Sequence, residues 1–450
     1  MLTDSCEVLK SELDLFEINP TQTSISSSNY VNYHPTTSIS TGASVEFVII
    51  SSPENYVDLK NTILYVKNKI IKKDGSNIDP PVAGQAISDE AIVVPINYYH
   101  ATQFKNIEVY INGRLVSSND NMAPYRSYLE NFLSYSTGAK MGQLTAALYY
   151  QDNGEDLDWI SSEIAKEDAA SLKKVKNRGL HERFLRTQYS HSFETMGRIH
   201  SELFLQPKLI PGNVEIRIKL HRADAGFCLM SKTNTDYDII IEDIQLKVRH
   251  CEIASHIREA HQKALLTRKI RYPINQIQMK FFTNGSGRVD LSEPNLVTGV
   301  LPSRVIVGLV RSDAFNGSIT KNPFNFQNFA LENIILRKNG KPTPYEELKL
   351  DYRTSHYSQG YLSLYMGTSR LFHDEDIMLP FYQYPFGYAL YAFDLRNSET
   401  CGIYDLVESG KLQLEIRLGE ESTVSITTVV LLEYNKIVEL DSDGNVFITE

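Results

Sequence analysis

Cysteine is scarce in this sequence, and none of it is spaced for chemistry. Cys6, Cys228, Cys251 and Cys401 lie far apart and form no C-x-x-C pair. That spacing excludes a zinc knuckle or a dithiol redox motif, and the reading is four free thiols in a reducing compartment. No apolar run approaches the ~20 residues that a helix needs to cross a bilayer. The first residues bring Asp4, Glu7, Glu12 and Asp14 instead of a basic and then apolar leader, so classical secretion is not expected. Positive charge is also short. Lys and Arg total 45 against 55 Asp and Glu, a net charge of −10. A coat that neutralises phosphates directly needs a basic face or tail. Sequence-specific nucleic-acid binding is therefore not expected, and an enclosed genome would meet this chain as a wall.

Catalytic signatures are missing as well. Neither G-x-S-x-G nor H-E-x-x-H occurs. Gly285-Ser286-Gly287 continues into no phosphate-loop pattern and reads as a turn. Phe372-His373-Asp374-Glu375-Asp376 is a charge cluster with metal-ligand residue types, read as a solvated loop. Lys173, Lys174, Lys176 and Arg178 follow an acidic block of Glu155, Asp156, Asp158, Glu163, Glu167 and Asp168, and together they read as an exposed mixed-charge insertion. His256 and His261 are five apart on one expected helix, not the four of a helical metal pair. Asn284-Gly285-Ser286 and Asn316-Gly317-Ser318 match the glycosylation tripeptide but read as turns. No catalytic, cofactor or metal residue is assigned.

What the sequence has is strands. Val214, Ile216, Ile218 and Leu220 alternate with charged residues, and so do Leu412, Leu414, Ile416 and Leu418. Ile244, Leu246 and Val248 do the same, as do Ile107, Val109 and Ile111. Each reads as a strand with one face in a core. Asn112-Gly113 and Asn339-Gly340 read as tight reverse turns. Aromatics are plentiful, 26 Tyr and 19 Phe against one Trp, and suit half-buried strands and subunit interfaces. The run Phe381 to Tyr388 reads as a buried strand and turn, with a sugar-binding platform as the alternative. Helices are few. One is expected at 254–266, ended with the help of Pro273, one starts at Pro124, and a third falls within 155–176.

A weak repeat joins the two halves. Asn106-Ile107 leads to Asn112-Gly113 just as Asn333-Ile334 leads to Asn339-Gly340. Val214–Ile218 is echoed later by Leu414–Leu418. Aligned that way, the first half holds about 27 extra residues, assigned to an insertion near 151–186. Many strands with a repeat predict an all-β chain of two similar sandwiches. The expected limits are an arm at 1–25, sandwiches at 26–250 and 269–440, a linker helix at 251–268 and an acidic tail at 441–450.

Several ordered segments then resemble a known family. Leu13-Asp14-Leu15-Phe16 followed by Pro20, Thr21, Gln22 and Thr23 is similar to the start of Maverick/Polinton and adintovirus major capsid (hexon) proteins. So are Tyr56-Val57-Asp58-Leu59, Ile111-Asn112-Gly113-Arg114-Leu115 with Pro124-Tyr125-Arg126, and Gly197-Arg198-Ile199-His200. The most specific match is Asp313, Ala314, Phe315, Asn316, Gly317 and Ser318, continuing to Asn322, Pro323 and Phe324. Ala392-Phe393-Asp394-Leu395 also fits. The resemblance spans about 13–445, with 151–190 the stretch that matches least.

That resemblance implies a double jelly roll with a few short helices and no enzymatic activity. It further implies homotrimers that act as pseudo-hexagonal capsomers and tile an icosahedral shell around double-stranded DNA. The expected partners are neighbouring capsomers, a single jelly-roll penton protein at the vertices, and internal minor or cement proteins. The expected location is the virion, after synthesis in the host cytoplasm or nucleus. Competing readings are a cellular two-domain lectin-like binding protein, a domesticated capsid copy, a hydrolase on a β scaffold and a vertex protein. A binding module needs a concave ligand site, an enzyme convergent titratable groups, and a vertex protein only one jelly roll.

Overall fold

The computed structural model describes residues 8, 10–16, 18–39, 43–82, 87–165, 173–344, 346–374, 376–398 and 405–449. Cys6, Cys401, Glu167, Asp168 and Glu375 lie outside them. Period-two alternation builds the sheets. In Ile216–Arg222, Ile216, Ile218 and Leu220 are fully buried while Arg217 and Lys219 between them are half-exposed, because successive side chains of an extended chain point to opposite faces.

Eight strands form the first sandwich: β1 (Ile25–Tyr33), β2 (Ser44–Ile49), β3 (Asn55–Lys72), β4 (Phe104–Ile111), β5 (Arg114–Ser117), β6 (Phe193–Gly197), β7 (Ile216–Arg222) and β8 (Tyr237–Ile253). One sheet has the order β1-β8-β3-β6 and the other β2-β7-β4-β5, with antiparallel pairing throughout. The second sandwich is built from β9 (Ile270–Asn284), β10 (Glu293–Val300), β11 (Arg304–Arg311), β12 (Leu331–Lys338), β13 (Lys341–Pro342), β14 (Leu390–Asp394), β15 (Ser409–Leu418) and β16 (Ile426–Leu440). Its sheets run β9-β16-β11-β14 and β10-β15-β12-β13. Strand for strand the two orders are the same, and each is the two-sheet arrangement of a jelly roll. The chain is an all-β double jelly roll.

Helices fill the crossovers. Between β5 and β6 lie α1 (Ala123–Ser134), with Pro124 in its first turn, and α2 (Arg178–Thr187), capped by the Asn177 side chain. α3 (Ser255–Leu265) joins the halves, and α4 (Ser358–Gly367) lies between β13 and β14. Among the described residues no helix is long and apolar enough to cross a membrane.

The repeat holds at strand level but its register needs correction. Asn112 and Asn339 sit at matching turns, with φ of 48° and 52°, each followed by a glycine with positive φ. The Asn112 N–H donates to Glu215 O and its Oδ1 accepts from Glu215 N–H. Asn339 makes the same pair of bonds to Lys411. Glu215 is therefore equivalent to Lys411, four residues before the Glu415 that the sequence pairing selects. Both choices keep the same residues on the core face, so alternation alone cannot separate them.

Of the helix expected within 155–176, residues 166–172 lie outside the described residues, and the described ones hold the short 3-10 turns Gly154–Asp156 and Ser162–Ala165. Three other expectations change. Pro273 lies inside β9, eight residues past the end of α3, on an edge strand where its missing N–H costs no ladder bond. The run from Phe381 forms a 3-10 turn, not a strand. The stretch 441–450 carries β17 (Val446–Thr449), paired with the end of β16.

Candidate functional site: the seam between the jelly rolls

The densest convergence of side chains is where the first jelly roll's long crossover meets the second. α1 is buried on nearly every side, with Arg126, Ser127 and Asn131 enclosed alongside Tyr125, Tyr128, Leu129, Phe132 and Leu133. They join one continuous core with Val305, Val307 and Leu309 of β11 and Ile416 and Leu418 of β15. Tyr128 stacks on Phe324 at 4.1 Å between ring centroids, and Phe132 on Tyr388 at 5.3 Å. The Tyr125 hydroxyl donates to Pro323 O at 2.9 Å, and its ring packs on Phe315 at 5.4 Å. Aromatic pairs of this kind contribute about 0.5–1.5 kcal/mol each beyond the area they bury.

The stretch expected to project from the surface is part of this seam. Leu157, Ile164, Leu180 and Phe184 are buried in the same core. Arg183 is wholly enclosed and donates to Pro95 O, Tyr150 O and Asp152 Oδ1, each at 2.9 Å. The Tyr388 hydroxyl donates to Asp152 O at 2.7 Å. Asp158 Oδ1 accepts from the Asn322 N–H at 2.7 Å, and its Oδ2 from Asn325 Nδ2 at 3.2 Å. The charges visible in the sequence are the outer face of a buried wall: Lys173, Lys174, Lys176 and Arg178 are exposed while Val175 and Asn177 between them are buried.

A second polar cluster sits beside it. Arg126, fully buried, donates to Glu202 Oε1 at 2.7 Å. Ile277 N–H of β9 donates to the same oxygen at 3.3 Å, so Glu202 touches both jelly rolls. His200 bonds Tyr98 through Nε2 at 2.7 Å and Glu130 through Nδ1 at 2.8 Å. Burial opposes ionisation of Glu130, but the His200 bond and the charges of Arg126 and Arg198 outweigh it and hold its carboxyl below the usual range. His100 is pushed down to about 3 by burial and, secondarily, by His200. Such buried ion pairs fix geometry more than they add stability, since desolvation offsets much of their attraction.

The sequence-selected residues divide into three places. Asn112 and Gly113 form the first turn, and Asn112 Nδ2 reaches Gly444 O at 2.8 Å, tying the first jelly roll to the C-terminal hairpin. Asp313 pairs with Arg311 at 2.7 Å beside the seam, Ala314 is buried, Phe315 packs into the seam, and Asn316-Gly317 turns the chain with Gly317 φ at 90°. Asn322, Pro323 and Phe324 enter it directly. Pro20, Thr21, Gln22 and Thr23 are exposed, and the Gln22 side chain bonds both the N–H and the C=O of Ile25. Of the two tripeptides, Asn316 begins a turn, whereas Asn284 is the last residue of β9 and the chain bends after it.

Sequence reasoning missed Arg126, Asp152, Arg183 and Glu202. The available signal was a lone charge inside an otherwise apolar segment, as in Tyr125-Arg126-Ser127-Tyr128. Phe372 to Asp376 does not close on a metal: among the described residues no three His, Cys, Asp or Glu side chains group as ligands. In the aromatic run, Tyr384 and Tyr388 are in the core while Phe381, Tyr382 and Phe386 are exposed. Cys228 and Cys251 are buried and unpaired by disulfide, and burial pushes the Cys228 thiol up to about 12, which makes it inert.

No family model matches the chain. Over an alignment of 431 residues, which covers 94% of this chain and 97% of its relative, the chain is 23% identical to the uncharacterized protein F54H12.2 of Caenorhabditis elegans. Among solved structures, a chain of the Sputnik virophage matches with a TM-score of 0.66 at 11% identity, over 99% of this chain and 93% of that one. The PBCV-1 virus capsid matches with a TM-score of 0.57 at 9% identity, over 97% of this chain and 99% of that one. The mavirus major capsid protein matches with a TM-score of 0.53 at 9% identity, over 99% and 95%. At these identities the likeness is one of fold: the double jelly roll of viral major capsid proteins, from end to end.

Proposed function

We propose that this chain is a major capsid protein of the Maverick/Polinton type, a structural subunit and not a catalyst. One observation carries the reading: two complete jelly rolls, equivalent strand for strand, are locked by a buried seam into one block. Six jelly rolls from three such blocks make a near-hexagonal tile, and closure into a ring needs two different faces per subunit, which the two jelly rolls supply. The tiles would cover an icosahedral shell around double-stranded DNA, with a single jelly-roll protein at the vertices and internal minor or cement proteins as further partners. The residues from Asp313 to Phe324 then serve to hold the two jelly rolls at a fixed angle. A relative of nearly the same length in an animal fits an element carried in animal genomes. A lectin-like role is less well supported, because Tyr384 and Tyr388 of the aromatic run that would form its platform are in the core.

Sedimentation and electron microscopy of the purified chain test the reading. The expected result is a stable trimer that appears as a six-lobed tile. A chain that stays monomeric at every concentration and salt overturns it.

A further inference from the structure

Beneath α3, between the bases of the two jelly rolls, runs an open groove of about 860 Å³. Its floor is apolar, with Ile257, Ala264 and Leu265 of α3 facing Tyr56, Leu209 and Pro211. Its rim is mainly basic, carrying Lys208, Arg258, Arg268, Lys269 and Arg271 against the single carboxylate Asp441; Lys269 and Arg271 share Glu439, and Arg258 lies 3.8 Å from Glu54, so the five cations outnumber their partners. No residue of α3 is buried, although an eleven-residue helix is only marginal without packing of an apolar face. Ile257 packs on Tyr56 and Ile253, and the Tyr56 hydroxyl meets His261 at 3.1 Å; Ala264 and Leu265, farther along the same face, stay open to the groove.

The first residues of the chain have the complementary character. Leu13, Leu15, Phe16 and Ile18 are 63%, 76%, 97% and 91% exposed. Acidic Glu12, Asp14 and Glu17 are interspersed with them. Ser24 and Ile25, where this arm ends and β1 begins, themselves line the groove. Gln22 clamps the backbone of Ile25, and Pro20 holds the chain near it extended. An extended run from Ser24 back to Phe16 spans about 26 Å at ~3.3 Å per residue, long enough to reach an adjacent molecule, and the exposure of these apolar residues shows that they do not occupy their own groove.

We infer that the groove beneath α3 receives the N-terminal arm of a neighbouring copy of this chain, apolar residues on its floor and carboxylates against its basic rim. This rests on the reading of the chain as a self-assembling shell subunit and names the contact that links one copy to the next. Apolar burial supplies the affinity, and the opposite charges set direction and partner choice.

Photocrosslinking tests it. Phe16 is replaced by p-benzoylphenylalanine in the full chain, and the oligomer is irradiated after its mass has been measured by sedimentation. The expected product has twice the chain mass on a denaturing gel, and its cross-link maps to α3 or to residues 207–214. Arg258→Glu with Arg268→Glu should lower its yield about tenfold. Leu13→Ser with Ile18→Ser, changes in exposed residues that leave the fold intact, should do the same. Cross-links confined to single chains, cross-links mapping elsewhere, or a yield unmoved by both variants overturn the inference while leaving the shell reading in place. A sample that sediments only as monomer overturns both.

Discussion

At the residue scale, His100 shows how packing sets chemistry. A Cβ on Gly197 would lie 2.6 Å from the His100 ring, so the glycine of Gly197-Arg198-Ile199-His200 is the space that admits the imidazole. The ring is enclosed and bonds Thr195 Oγ1 at 3.0 Å through Nδ1. Its folded pKa, about 3, lies below the ordinary value of 6.5. Between those values the unfolded chain binds the proton and the folded chain does not, so stability falls as pH drops from 6.5 toward 3. Glu130, held below the usual carboxylate range, acts in the same direction, since its stabilisation is lost as pH falls. At about 1.4 kcal/mol per pKa unit, His100 alone accounts for a few kcal/mol. Urea midpoints measured from pH 7 to pH 4 should fall steeply in the native chain, and the slope should flatten in His100→Gln. Equal slopes would exclude His100 as the acid-sensitive group.

At the element scale, the crossover from β5 to β6 departs furthest from its sequence reading. A mixed-charge stretch that matched little else looked removable. The fold uses it as the inner wall of the seam, with Leu157, Ile164, Leu180 and Phe184 buried and Arg183 enclosed. Each such apolar side chain contributes roughly 1.5–3 kcal/mol on burial, and a domain's whole stability is only about 5–15 kcal/mol. Deleting residues 151–186 should therefore abolish soluble folded protein. The check is the soluble fraction on expression and the melting temperature of whatever remains. A soluble deletion variant with an unchanged melting temperature would return the segment to the status of a surface insertion. The Asn-Gly turns are the opposite case, because two residues suffice to set the turn and both were readable directly.

At the scale of the whole molecule, charge governs how blocks meet. In the proposed assembly, contacts between trimers would have to be weak enough for misplaced tiles to detach, whereas the contact inside a trimer would be of the large, apolar, obligate kind. With a net charge of −10 per chain, such tiles would repel at low ionic strength, and salt would screen that repulsion over about 10 Å at 0.1 M. Raising salt from low to moderate strength should increase light scattering from assembled shells while the sedimenting trimer stays intact. Trimers that fall apart into monomers over the same range would place the dominant polar contact inside the trimer instead.

The sequence alone determined the fold class, most strands, two turns and the doubling of the chain. These are local properties: alternation has a period of two residues, a reverse turn spans four, and each survives without its tertiary neighbours. Even the four-residue error in pairing Val214–Ile218 with Leu414–Leu418 kept every core residue on the core face. Tertiary structure decided the seam. Tyr125 meets Pro323 across 198 positions, and Asp152 meets Tyr388 across 236. Arg126 and Arg183 look like surface charges until the fold encloses them. No periodicity encodes such a meeting, because its partners share a face only after both jelly rolls have closed.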